Sequence, residues 1–313
     1  MRIIDQSAPS PIARPTTRFV MKRALNNLGE QGLISEIRVL RRLRGAPNIQ
    51  QLFRVPGETI DLEVPYWRGP TLFTEWIPNG LVNNFVQRRD EWGDPLPNRM
   101  LWRFFLCFCY MLVAMAWPPE GQEDAPSSKG YIPLRNRAGD LPPESHLVHG
   151  DLNVENVMFG DFEPIAHQFV PMLKLIDFGK SQTILEGPIP GIKRNMQDIG
   201  TIMVRLIGGN VFSARDLENL GHPNYRMVDK KTKDMHQERL NNLDPELKSL
   251  IALCLAANAA DRPELDHLLQ EVQSNVNEKT PDSYQGNKYH HNESDAALRR
   301  ISEIIIRLAQ SPR

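Results

Sequence analysis

Only three cysteines, Cys107, Cys109 and Cys254, occur in the 313 residues. That is too few for a disulfide framework. Cys107 and Cys109 lie in an apolar run without metal-ligand neighbours, so they read as buried thiols and suit a reducing compartment. Neither sign of charge is in excess: 37 Lys and Arg stand against 38 Asp and Glu, a formal net charge of −1. Such a chain has no global field to draw it to nucleic acid or an anionic membrane. The basic cluster Arg38–Arg44 reads as the solvated face of a helix. Glycine is missing before Gly29. One stretch has a membrane-like composition, the fourteen apolar residues Phe104–Trp117 that follow Arg103. A span needs about 20, so a fully buried core helix is expected there and no membrane span. The opening MRIIDQSAPSPIARP lacks the apolar core of a secretory signal, which points to an intracellular protein, cytoplasmic or nuclear.

What is present is ordinary for a globular chain: 41% apolar and 24% charged residues, with length enough for a sizeable core. Residues 1–17 read as an irregular lead-in and Arg18–Leu25 as a strand. Gln31–Arg44 follows as a helix, because Leu33, Ile37, Leu40 and Leu43 recur at helical spacing, and Gly45-Ala-Pro47 ends it. Strand-compatible pieces at Gln51–Val55 and Thr71–Trp76 precede the break at Pro78-Asn79-Gly80. Beyond it the pattern predicts helices at Leu81–Arg89, Asn98–Trp117, Asn195–Ile207, Pro245–Ala256 and Pro263–Asn275. Two short strands, Asn156–Phe159 and Leu173–Phe178, lie between them. A polar insertion with six prolines occupies 118–146. Val276–Ser294 reads as polar and mobile, and Ala296–Ala309 as a last amphipathic helix. The expected class is α+β: a small β-rich part over 18–80 with one helix, a mainly helical part over 81–275, and a tail over 276–313.

Chemistry-bearing residues cluster in two places. HLVHGDLNVENVMF sets Asp151 and Asn156 five positions apart between apolar pairs. LKLIDFG puts Asp177 at the end of an apolar strand, with Gly179 to allow a turn. Phosphoryl transfer asks a protein for such groups: a carboxylate aimed at the acceptor hydroxyl, and oxygen ligands that hold magnesium against phosphates.

The pair HGDLNVEN and IDFG resembles the HRDLKPEN and DFG signature of the protein-kinase family. SEIRVLRRLRGAPNI is similar to that family's helix C, TLFTEWIPNGLVNNF to its strand and hinge, QDIG to the start of its long central helix, and ADRP to its arginine turn. The likeness runs over about residues 18–275. It implies a two-lobed protein-kinase-like fold, ATP and magnesium as cofactors, and a protein Ser/Thr hydroxyl as acceptor. On this match Asp151 is the catalytic base, and Asn156 and Asp177 are magnesium ligands. Lys22 meets the α- and β-phosphates and pairs with Glu36. Thr74 is the gatekeeper beside the adenine, which the backbones of Glu75 and Ile77 hydrogen-bond. Asp198 braces the catalytic loop through backbone amides, and Arg262 belongs to the arginine turn.

Four departures qualify that match. The glycine-rich loop is absent ahead of Lys22, so either the chain starts late or its nucleotide lid is degenerate. Gly150 replaces the arginine that reads a phosphorylated activation loop. Asn153 replaces a lysine that stabilises the transferring phosphate, and Lys180 is the nearest substitute for that charge. Only eighteen residues separate Gly179 from Asp198, without an Ala-Pro-Glu motif, so the platform for protein substrates is short or missing and Arg262 lacks its usual glutamate. Two alternatives stay open. One is a non-catalytic pseudokinase scaffold. The other is a small-molecule phosphotransferase of the aminoglycoside or choline type, whose catalytic loop His-Gly-Asp-Leu also resembles.

Overall fold

The structure is a computed structural model that describes residues 2–3, 18–53, 69–119, 144–164, 167–185, 189–208 and 241–310. Among them are seven α-helices and seven short strands, a mixed α+β arrangement dominated by helix. Most of the insertion expected at 118–146 lies outside the described residues, as does the stretch from Arg54 of the strand expected at Gln51–Val55.

Strand β1 (Arg2–Ile3) pairs antiparallel with β2 (Phe19–Arg23), and β2 with β3 (Thr71–Glu75), in a register that sets Lys22 opposite Leu72 and Val20 opposite Thr74. Part of the lead-in expected to be irregular is therefore strand; residues 4–17 are not described. Helix α1 (Asn27–Arg42) starts four residues before the expected Gln31. Asn26 caps it, its side-chain oxygen accepting the Gly29 N–H at 2.9 Å; the apolar period is silent over this first turn, which the cap supports instead. Leu33, Ile37 and Leu40 form its buried face, and Glu36 shares that face at 2% exposure. A carboxylate there is costly unless it is paired, and its partner comes from β2.

From β3 the chain runs through residues 76–81 into α2 (Val82–Arg88) and α3 (Asn98–Ala116). The apolar stretch of α3 is a core helix, as expected: Phe104, Phe105, Phe108, Met111 and Leu112 are fully buried. Each large side chain so placed contributes roughly 1.5–3 kcal/mol. Against it packs α4 (Gly191–Ile207), α5 (Pro245–Cys254) packs on α4, and α6 (Leu265–Glu278) packs against α3. Two two-stranded ribbons carry the loops of interest. β4 (Leu147–Val148) pairs with β7 (Gln182–Thr183), and β5 (Val157–Phe159) with β6 (Leu173–Leu175), all antiparallel.

The stretch Val276–Ser294, expected to be polar and mobile, is ordered. α6 runs on to Glu278, and two 3-10 turns, Pro281–Tyr284 and His290–Glu293, lead into α7 (Asp295–Gln310). Three of its polar residues, Tyr284, Asn292 and Glu293, are buried against specific partners. The Tyr284 hydroxyl donates to Asp244 Oδ2 at 2.8 Å, which also takes the Trp102 indole N–H at 3.1 Å. The end of α7 lies against the exit from β3. Gly80 has φ +86°, and a Cβ there would fall 2.4 Å from the Ala309 carbonyl; Asn84 and Gln310 tie the two segments through Ala309 O and Pro78 O.

Candidate functional site

Lys22, Glu36 and Asp177, separated by 14 and 155 positions from the lysine, meet at one point. Lys22 Nζ lies 2.8 Å from Glu36 Oε2 and 2.8 Å from Asp177 Oδ1. Burial acts to lower the lysine's pKa, but the hydrogen bonds and charges of both carboxylates outweigh it, so the ammonium is held above its ordinary range. Burial likewise acts to raise Asp177, but the hydrogen bond and charge of Lys22, together with the Gly179 N–H, outweigh it and lower the carboxyl. Glu36, the deepest of the three, is pushed up by burial that Lys22 only partly offsets. Asp177 adopts φ +60° and ψ +75°, the left-handed region that non-glycine residues enter uncommonly, Asp more readily than most. Its Oδ1 accepts the Gly179 N–H at 3.3 Å. One carboxylate oxygen is thereby engaged, on a side chain that is about half exposed.

The segment His149–Asn156 lies alongside. His149 is fully buried, and burial lowers its pKa despite the nearby carboxylates, so the ring is neutral at pH 7. Its Nδ1 accepts the Asp151 N–H at 3.3 Å, which leaves the proton on Nε2 to donate to Ile176 O at 3.1 Å. One ring therefore spans the two motifs, reaching the backbone of Asp151 on one side and the residue before Asp177 on the other. Phe178 packs edge-on against it at 4.7 Å. The two backbones are also joined directly, the Ile176 N–H donating to the Asn156 carbonyl at 2.9 Å.

Asp151 is surrounded by donors. Asn156 Nδ2 donates to its carbonyl at 2.7 Å and to Oδ2 at 3.1 Å. Asn153 Nδ2 donates to its carbonyl at 3.1 Å and to Oδ1 at 3.3 Å. Lys180 Nζ sits 2.9 Å from Oδ2. Asn153 also caps the following turn, accepting the Glu155 N–H at 2.7 Å. Gly150 has φ +78°, and a Cβ built on it would lie 2.4 Å from Lys180 O. Neither that backbone nor that gap suits a side chain at this position.

A brace on this loop was expected from Asp198; the amide of Asn195, one turn earlier on α4, makes those bonds. Its Oδ1 accepts the His149 N–H at 3.1 Å and its Nδ2 donates to Leu147 O at 2.8 Å. The missed signal is an asparagine inside an apolar stripe, with Ile192, Met196 and Ile199 beside it, because a polar group so placed needs a dedicated partner. Asp198 is instead held up to about 6 by burial, which the Arg262 charge opposes and the Asp151 charge reinforces. A carboxyl whose folded pKa is raised gives stability that is complete below its unfolded value and lost as pH rises through the folded one. Asp198→Asn, uncharged throughout, should gain on the wild type between about pH 4 and pH 7 and level off above, by on the order of 2 kcal/mol. Thermal melts across that range read it; a difference that does not change with pH would refute it.

Arg262 binds carbonyls: Ala256 O at 2.8 Å, Lys193 O at 2.6 Å and Ala257 O at 3.4 Å. Lys193 returns the contact to Arg262 O and Pro263 O and reaches Glu264 Oε1 at 2.7 Å. The arginine thus clasps the start of α4. Thr74 is buried on β3. The Glu75 N–H is taken by Gln51 O at 2.9 Å, while its carbonyl has one long contact, 3.4 Å, from Gln50. Its carboxylate is tied to Lys174 at 2.6 Å. Of the two Glu75 backbone groups, the carbonyl is the one available to a ligand. Ile77 is buried just beyond.

As donors for a cation, the amide oxygen of Asn156 and the second carboxylate oxygen of Asp177 are hard oxygen ligands on adjoining segments. Among the described residues no three His, Cys, Asp or Glu side chains converge into a metal-binding group. A pair of oxygen donors fits magnesium, which keeps water and takes phosphate oxygens in addition to one or two protein ligands. The three cysteines are buried, and burial raises Cys107 and Cys254 to about 12, so none is a thiolate nucleophile at neutral pH. Compared with known proteins, the chain matches no family model and no curated protein.

Proposed function

We propose that this chain is an ATP- and magnesium-dependent phosphotransferase of protein-kinase-like, two-lobed fold, with a protein Ser/Thr hydroxyl as acceptor. The observation that carries the reading is the meeting of Lys22, Glu36 and Asp177 beside Asp151 and Asn156. These five come from four separate parts of the chain, Asp151 and Asn156 sharing one segment, and each has the chemistry the reaction asks for. The sheet β1–β3 with α1 would form the smaller lobe and the helices around α3 the larger, with ATP between them. Lys22 would neutralise phosphate oxygens while Glu36 holds it in place. The Glu75 carbonyl and the Ile77 backbone would meet the adenine beside Thr74. Asn156 and Asp177 would hold magnesium, which draws charge from the phosphates. The acceptor hydroxyl gives its proton to Asp151 as its oxygen forms the new bond to the γ-phosphorus. The bond from that phosphorus to the β,γ-bridging oxygen breaks, and its electron pair leaves with ADP.

Labelled γ-phosphate with generic protein acceptors tests this directly. Transfer that needs magnesium is expected, together with a rise in melting temperature on adding ATP and magnesium, since a ligand at one hundred times its Kd adds about 2.7 kcal/mol. Stabilisation without transfer would leave a binding scaffold; neither would sink the reading. A small hydroxylated acceptor is the second reading, favoured by Gly150, whose φ and contact with Lys180 O leave no place for a side chain that reads a phosphorylated loop. Running small alcohols and aminoglycosides in the same assay separates the two.

A further inference from the structure

Transfer of a phosphoryl group spreads negative charge over three equatorial oxygens, and positive charge aimed at that position is usually the largest catalytic term. On the acceptor side such a charge is scarce. Leu147–Asn156 contains no lysine or arginine, and burial lowers the one ionisable ring between them, His149. The Asn153 side chain is taken up locally, its amide bonded to Asp151 and its oxygen to the Glu155 N–H, and it has no charge to give. Lys22 is already shared by two carboxylates.

We propose that Lys180, from the turn after Asp177, supplies this charge to the transferring phosphate, and that Gly150 is a glycine so that Lys180 can stand there. The inference rests on the phosphotransferase reading above. Lys180 Nζ is 2.9 Å from Asp151 Oδ2, the atom that would take the acceptor proton, and its side chain is 70% exposed. The ammonium is therefore beside the reacting atoms and free to turn from carboxylate to phosphate. The chain just after it is anchored to the segment before Asp151. Ser181 Oγ donates to His149 O at 3.2 Å, and Gln182 pairs with Val148 across the β4–β7 ribbon. At Gly150 the two segments approach so closely that a Cβ would strike Lys180 O. Two departures from the kinase pattern, the glycine at 150 and the asparagine at 153, thereby have one physical cause. In the step the ammonium keeps its proton; the hydroxyl proton goes to Asp151 and the electron pair leaves with ADP.

Lys180→Met keeps the stem and removes the charge, and an exposed side chain makes unfolding no obstacle. We expect kcat to fall roughly 30- to 300-fold with KM for ATP within threefold, and Lys180→Arg to stay within about fivefold of wild type. A second measurement is free of turnover: calorimetric affinity for ADP, magnesium and aluminium fluoride, a mimic of the flat transferring group, against ADP and magnesium alone. Lys180→Met should weaken the first and leave the second unchanged. A kcat within threefold of wild type, or an equal loss in both affinities, would overturn the role of Lys180 alone. A wild type that neither transfers phosphate nor binds the fluoride complex would overturn the phosphotransferase reading as well.

Discussion

Asp151→Asn is expected to lower kcat for phosphate transfer by ~10²–10⁴-fold, the range typical of losing a general base, while KM for ATP moves less than about threefold. The geometry explains the split. In the proposed reaction Asp151 would meet the acceptor, whereas Lys22, Asp177 and the Glu75 carbonyl would meet the nucleotide, and none of these bonds to the Asp151 carboxylate. The substitution is close to isosteric but not free of cost. Both carboxylate oxygens accept, Oδ1 from Asn153 and Oδ2 from Asn156 and Lys180. An asparagine keeps its oxygen toward Lys180 and turns its NH₂ on the Asn153 amide, donor against donor. At a site one-third exposed, water relieves that clash, and a stability loss near 1 kcal/mol is expected. Steady-state kinetics with a melting curve on the same preparation decide the matter. A variant with more than a tenth of the wild-type kcat would remove Asp151 from the role of base. A loss of ATP-dependent stabilisation equal to the loss of rate would make it an architectural residue instead.

How much of this was legible in the sequence depended on the range of the forces involved. Local periodicity placed α1, α2, α3 and the later helices to within a few residues, because apolar spacing is written in adjacent turns. Phe104–Trp117 read as a core helix from its length alone. The site was legible where one short motif carries several groups, as with Asp151 and Asn156. Lys22 and Glu36, a strand lysine and a helix carboxylate, do meet. Asn195 was missed in favour of Asp198, since a side-chain amide bonding a backbone 46 residues away leaves no local trace beyond its place in an apolar stripe. The segment 276–294 misled for a related reason. Its polar composition suggests a chain that cannot bury enough apolar surface, but Tyr284 and Glu293 are buried against partners beside α5 and in α3, and composition does not reveal that matching.

Glu293 shows how much such a match contributes. Helix α3 begins after Pro97, whose side chain cannot cap it, so the N–H groups of Asn98 and Arg99 need an outside acceptor. The Glu293 carboxylate, 195 positions on in the chain, accepts the Asn98 N–H at 2.7 Å, the Arg99 N–H at 3.0 Å and the Asn98 side-chain amide at 3.1 Å. It also brings a negative charge to the positive end of the helix dipole. Arg99 completes the exchange, bonding the Glu293 carbonyl at 2.5 Å and Asp295 at 2.8 Å. Glu293→Ala would leave two backbone donors buried without acceptors and Arg99 short of one counter-charge. The expected cost is about 3–5 kcal/mol, a large part of the 5–15 kcal/mol by which a domain is stable. Glu293→Gln, which keeps one acceptor oxygen, should cost roughly half as much. Urea unfolding of the three proteins measures both. A loss under about 1 kcal/mol for the alanine variant would mean that burying the carboxylate costs as much as its bonds return, since burial already pushes this carboxyl up. The site should respond differently from the fold. α3 meets the loop through Met115, whose sulfur lies 3.7 Å from the Asn195 amide, at the end of the helix opposite to Glu293. Kinetics well below the melting temperature should therefore show kcat nearly unchanged in Glu293→Ala, with the stability lost and the arrangement around Asp151 retained.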